Sequence, residues 1–147
     1  MTAGFQSEIM SNAEGFLGSR FERSPDAGLL AVGDLLVILA FLTVGELRHG
    51  VNPVTQPLVV ADTVAPFLLG WVVASLAVGA YAPGAMRSSR VAAVRAAGAW
   101  VGAAAIGLAL RATSLFHGES PWTFALVVTG IGVVSLVAWR VAVSAVR

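Results

Sequence analysis

Four separate stretches of predominantly apolar residues constrain this chain more than any other feature. They run from about residue 27 to 46 (AGLLAVGDLLVILAFLTVGE), 57 to 82, 91 to 112 and 122 to 143. About 20 apolar residues in an α-helix are enough to cross about 30 Å of hydrocarbon. None of the four alternates with a period of two, so half-buried strands do not fit. The expectation is an all-α, integral membrane four-helix bundle. The connections are short, which implies an up-down topology. Composition agrees: 57% of residues are hydrophobic and 12% charged, about half the charge of an ordinary soluble domain.

All nine basic residues are arginine. Arg20, Arg23, Arg87, Arg90, Arg95, Arg140 and Arg147 fall on the side of the N-terminus, and Arg48 and Arg111 on the other. The positive-inside rule then puts both termini in the cytoplasm, N-in and C-in, of a multi-pass protein of the cytoplasmic membrane. Residues 27–147 form the transmembrane domain on this reading, and residues 1–26 a cytoplasmic tail. The tail carries Glu8, Glu14, Glu22 and Asp26 against Arg20 and Arg23, with no basic start and apolar core, so it is not a signal peptide. Phe5, Ile9, Phe16, Leu17 and Phe21 leave two readings of it, an interfacial helix or a disordered segment.

Several chemistries drop out. Without cysteine there is no disulfide, thiolate nucleophile or iron–sulfur cluster. The sequence has no phosphate loop, HExxH or GxSxG, so no enzyme activity and no cofactor is expected. A net charge of +1 gives no reason to expect nucleic acid. The partners expected are the lipid bilayer and a homo-oligomer, with any protein partner unspecified.

An offset of 68 residues carries His49 onto His117, Trp71 onto Trp139, Leu42 onto Leu110 and Leu47 onto Leu115. Helices one and two would then match helices three and four, a 2+2 repeat. Asp34 and Glu46 do not follow the offset, and the repeat stays open.

Charge inside hydrocarbon costs about 2.5–3.5 kcal/mol on insertion scales, so each such residue needs a reason. Asp34 lies about 10 Å into the first helix. Arg95 and Arg140 sit near the same side with stems long enough to reach it. Either Asp34 closes a salt bridge that fixes the packing, or it is a titrating or ion-binding carboxylate. Near the other side, Glu46, Asp62 and Arg111, with His49, His117 and Glu119, form a candidate polar cap. The His-Gly loops lack a metal-ligand spacing, and no metal site is expected. Pro66 predicts a kink in the second helix, with Thr63 three residues earlier to satisfy a freed carbonyl. Gly98 and Gly102 give the third helix a small-residue face suited to close packing. Trp100, Gly107 and Arg111 share one stripe of it, so Trp100 is expected to face protein.

The residues also carry a resemblance. Asp34, VGELRHG at 44–50, TVAPFLLGW at 63–71, Trp100 with GLALR at 107–111, and the pair Trp139–Arg140 are similar in order and spacing to a prokaryotic membrane family, domain of unknown function 3054. The likeness covers about residues 30–141. It implies four helices in a cytoplasmic membrane and no particular reaction. The function expected is transport or permeation of an ion or small solute by an oligomer, with a non-catalytic accessory or scaffold subunit that binds another membrane protein or lipid as the alternative.

Overall fold

The computed structural model describes residues 2–116 and 118–147. Five helices follow one another: α1 (Thr2–Arg20), α2 (Pro25–Arg48), α3 (Pro57–Val78), α4 (Ser89–Arg111) and α5 (Trp122–Ala145). The last four are long and apolar enough to cross a membrane. At 22 to 24 residues each, they extend about 33–36 Å. The chain is a multi-pass membrane protein.

The helix boundaries have local causes. Ser24 accepts a hydrogen bond from the Ala27 amide and Pro25 occupies the first turn of α2, while Ser88 does the same for Val91 in α4. Gly79, in the left-handed conformation with φ 75°, stops α3 after Val78. The apolar run that continues to residue 82 is therefore not all helix. The Gly79 amide turns back onto the Leu76 carbonyl and the Ala80 amide onto the Ser75 carbonyl, which leaves Tyr81 in a buried turn.

α2 packs on α3, α3 on α4, α4 on α5 and α5 back on α2, which closes a ring of four helices. Asp34 meets Arg140, Asp26 meets Arg147, Arg95 meets Gly79 and Ser89 meets Ser144. These contacts gather the starts of α2 and α4 and the ends of α3 and α5 at one end of the bundle. Arg111 closes the other end against Ser120 and Phe124.

Small residues set the closest approaches. A Cβ on Gly70 would overlap the Ala103 backbone, and one on Gly102 would press on Ala74. The Gly98 and Gly102 face is thus spent on α3, inside the bundle, where short side chains let backbones pack without a hydrophobic drive. Pro66 is buried inside α3, which continues through it to Val78. The indole of Trp100 fills the centre. Phe41 meets it edge-on at 5.2 Å, Phe67 stacks at 6.0 Å, and Phe67 in turn meets Phe124 at 6.2 Å. One aromatic cluster thereby joins all four spanning helices. Trp100 Nε1 donates to the Val128 carbonyl at 3.1 Å, a bond possible because Gly132 has no side chain in the way.

Gly132→Leu is expected to expel the Trp100 indole and to destabilise the protein by about 1–3 kcal/mol, the usual cost of overpacking. Gly130→Leu, at a position where a Cβ meets open space, should leave stability unchanged. Thermal unfolding of both variants in the same detergent checks this.

Candidate functional site: a sealed ion pair at one end of the bundle

Asp34 and Arg140 are both fully buried, at 0% exposure. α2 contributes the carboxylate and α5 the guanidinium, from positions 106 residues apart. Arg140 Nε donates to Asp34 Oδ1 at 2.9 Å, and Nη2 donates to Oδ2 at 2.6 Å. This is a two-pronged, charge-assisted pair, the strongest geometry available to these groups. The close approach of α2 and α5 that it needs comes from Gly33, where a Cβ would collide with the Trp139 ring.

The remaining valences are used as well. Tyr81 donates its hydroxyl proton to Asp34 Oδ2 at 2.6 Å and accepts from Trp71 Nε1 at 3.0 Å. Arg140 Nη1 donates to the Ala80 carbonyl at 2.8 Å and approaches Met86 Sδ at 3.8 Å. The guanidinium carbon lies 5.0 Å from the centre of the Tyr81 ring, within the range for a cation–π contact. Burial first, then the charge of Asp34 and the hydrogen bond to it, push the Tyr81 hydroxyl well above the ordinary tyrosine value of 10.0. Tyr81 therefore keeps its proton.

Arg95 does not reach Asp34. It donates to the Gly79 carbonyl at 2.6 Å, while Arg20, from α1, donates to the Ala77 carbonyl at 3.3 Å. Three arginines from three helices thus converge on carbonyls at and just beyond the C-terminal end of α3. Ala77 is among the last-turn carbonyls that a helix end leaves without an intrahelical partner, and the negative end of the dipole favours cations there.

The N-terminal segment is tied to the same place. The Glu22 amide donates to the Tyr81 carbonyl at 2.8 Å, and the Phe21 and Tyr81 rings lie 5.3 Å apart. α1 itself is helical but exposed along its length until its last residue. A cavity of about 250 Å³ lies beside the network; Glu22, Asp26, Tyr81, Met86, Arg87 and Arg147 are among its lining residues.

At the opposite end, the candidate cap is only partly assembled. Arg111 is buried at 7% exposure and donates from Nε to the Ser120 hydroxyl at 3.1 Å and from Nη2 to the Glu119 carbonyl at 3.4 Å. Its guanidinium lies 5.0 Å from the Phe124 ring centre. Glu46 and Asp62 are the acidic groups whose charge reaches it. Glu119 contributes its backbone carbonyl, not its carboxylate. His49 is exposed at the C-cap of α2, and His117 lies outside the described residues. Among the described residues no three His, Asp or Glu side chains gather as metal ligands.

Tyr81, Trp71, Met86 and the Ala80 carbonyl are the members of the buried network that sequence reasoning missed. One signal pointed to Tyr81: it is the single tyrosine of the chain, next to the end of an apolar span.

Chemically, the site holds charge in place. Both carboxylate oxygens of Asp34 are occupied. Residues 31–143 match a family described as protein of unknown function (DUF3054). The chain belongs to this family. No curated protein and no solved structure matches it. The matched segment contains Asp34, Tyr81 and Arg140, and α1 lies outside it.

Breaking the pair from one side leaves the other charge buried and unpaired. Asp34→Leu and Arg140→Met are each expected to cost about 3–5 kcal/mol, and the double variant should recover most of that loss. Unfolding in a mixed detergent series measures it, and additive losses would contradict the paired geometry. Tyr81 offers an optical check. Its raised value means that stability is present below pH 10 and declines above it, as the unfolded chain loses a proton the folded chain retains. The folded protein should therefore show no tyrosinate absorbance at about pH 11, and the band should appear only on unfolding.

Proposed function

We propose that this protein is a non-catalytic membrane subunit that docks against a larger membrane protein through its apolar outer faces, and that it carries no solute through its own four-helix bundle. One observation carries the reading. The buried carboxylate is gripped at both oxygens by Arg140 and Tyr81, which favours a structural pin over an exchanging ion site. The aromatic cluster around Trp100 fills the bundle centre, which also fits an accessory role.

Seven arginines at the end that carries Asp26 and Arg147, against two at the other, support an orientation with both termini in the cytoplasm. The cytoplasmic membrane is the matching location.

A second reading, transport by an oligomer, draws on the cavity of about 250 Å³ beside Tyr81. In that reading Tyr81 would have to release Asp34 to the cavity before anything could bind. Reconstituted liposomes separate the two. The expected result is no proton, cation or small-solute flux under an imposed gradient, with a stoichiometric membrane-protein complex recovered after mild solubilisation. A flux abolished by Asp34→Asn would select the carrier, and recovery of this chain alone would count against the accessory role.

A further inference from the structure

α2 and α5 meet in two different ways along their length. In the half near the chain termini the seam is shut: Trp139 lies against Gly33, Arg140 holds Asp34, and Ala27 and Leu30 are buried. In the other half it is open. A groove of about 600 Å³ lies between Val37, Phe41 and Val44 of α2 and Val127 and Ile131 of α5, with Arg48 and His49 also on its lining at the end of α2. A smaller cavity of about 80 Å³ shares Phe41 and His49 with it and reaches Thr63 and Phe124.

The dimensions and charge of this groove select an occupant. From Val37 to Arg48 it follows α2 for about 16 Å, half of the roughly 30 Å hydrocarbon core. That is the depth of one leaflet. A partner's spanning helix would need a face about twice as long, and this one is interrupted where Trp139 fills the seam. One acyl chain needs only the half that is open. At the polar end, Arg48 makes no side-chain hydrogen bond or ion pair among the described residues, and Arg48 and His49 line the groove itself, whereas Glu46 lines the smaller adjoining cavity. The headgroup position is therefore left with a cation.

We propose that the open half of the α2–α5 seam binds one anionic phospholipid, with an acyl chain along Phe41, Val44, Val127 and Ile131 and the phosphate at Arg48 and His49. The site goes beyond the accessory role and does not rest on it, since a flux or partner result leaves the lipid measurement unchanged.

The test is native mass spectrometry of the full chain released from nanodiscs of equal phosphatidylglycerol and phosphatidylcholine. The wild type should retain one phosphatidylglycerol with a preference of about five-fold, the equivalent of about 1 kcal/mol for one basic residue at a membrane surface. Arg48→Gln should reduce the preference to parity. Gly45→Trp, where a Cβ meets open space, should fill the groove and abolish retention of both lipids. Gly28→Trp, also open but at the other end of α2, should behave as wild type. Equal retention of the two lipids by the wild type would overturn the proposal, as would an unchanged preference in Arg48→Gln together with Gly45→Trp. A lipid-free dimer that Gly45→Trp dissociates would overturn it in favour of a second copy.

Discussion

The contact between Asp34 and Arg140 is the interaction on which the rest of the structure depends. Each residue is costly in hydrocarbon alone, by about 2.5–3.5 kcal/mol on insertion scales. Each sits in a different spanning helix, the first and the last. The cost falls when the two helices meet, so the pair drives the closure of a ring that apolar surface cannot drive, because lipid is as apolar as the helix faces. α3 and α4 need no such device. Their small residues, Gly70, Ala74, Gly102 and Ala103, bring the backbones together directly. α2 has few equivalents apart from Gly33, and Gly33 serves the same pair by admitting Trp139.

A second layer of the same logic surrounds the end of α3. Gly79 turns the chain out of the helix, and its own carbonyl accepts from the Ala82 amide within the turn, while the turn and the helix end offer further acceptor sites on their carbonyls. Arg20, Arg95 and Arg140 supply donors from α1, α4 and α5. The turn in exchange holds Tyr81 over Asp34. One helix terminus thus links α1, α4 and α5 to the buried carboxylate. The shared member is Arg140, which donates to Ala80 and to Asp34 with different nitrogens of one planar group. Lysine, a point charge, could not hold both geometries at once.

What could be read from the sequence follows from which physical costs are large. The four spans were legible because hydrocarbon tolerates no unpaired backbone. Asp34 and Arg140 were legible as an unusual pair because the same medium penalises charge. The choice between Arg140 and Arg95 was not, since both stems reach the same depth, and the decision rests on the Gly79 carbonyl, whose direction only the left-handed turn sets. The same glycine explains why the second helix stops short of residue 82: Ala80, Tyr81 and Ala82 are apolar enough to extend a span, but φ at Gly79 is 75°. At the other end, Glu119 was singled out for its carboxylate and is used for its backbone carbonyl. Composition names side chains, and a loop can satisfy an arginine with either.

The asymmetry of the α2–α5 seam has the same origin. Helices in lipid close where they gain polar bonds or close backbone contact, and have little reason to close elsewhere. The half of the seam with Gly33, Asp34, Trp139 and Arg140 has both. The half with Phe41, Val44, Val127 and Ile131 has neither, since large side chains face one another across it and lipid solvates them equally well. Gly45, on the lining of that half, has open space where a Cβ would stand and brings no backbone close. The opening is therefore a consequence of where the polar pair was placed. A bundle clamped at one end of a seam and unclamped at the other leaves a pocket one leaflet deep, and Arg48 at its rim gives that pocket a charge.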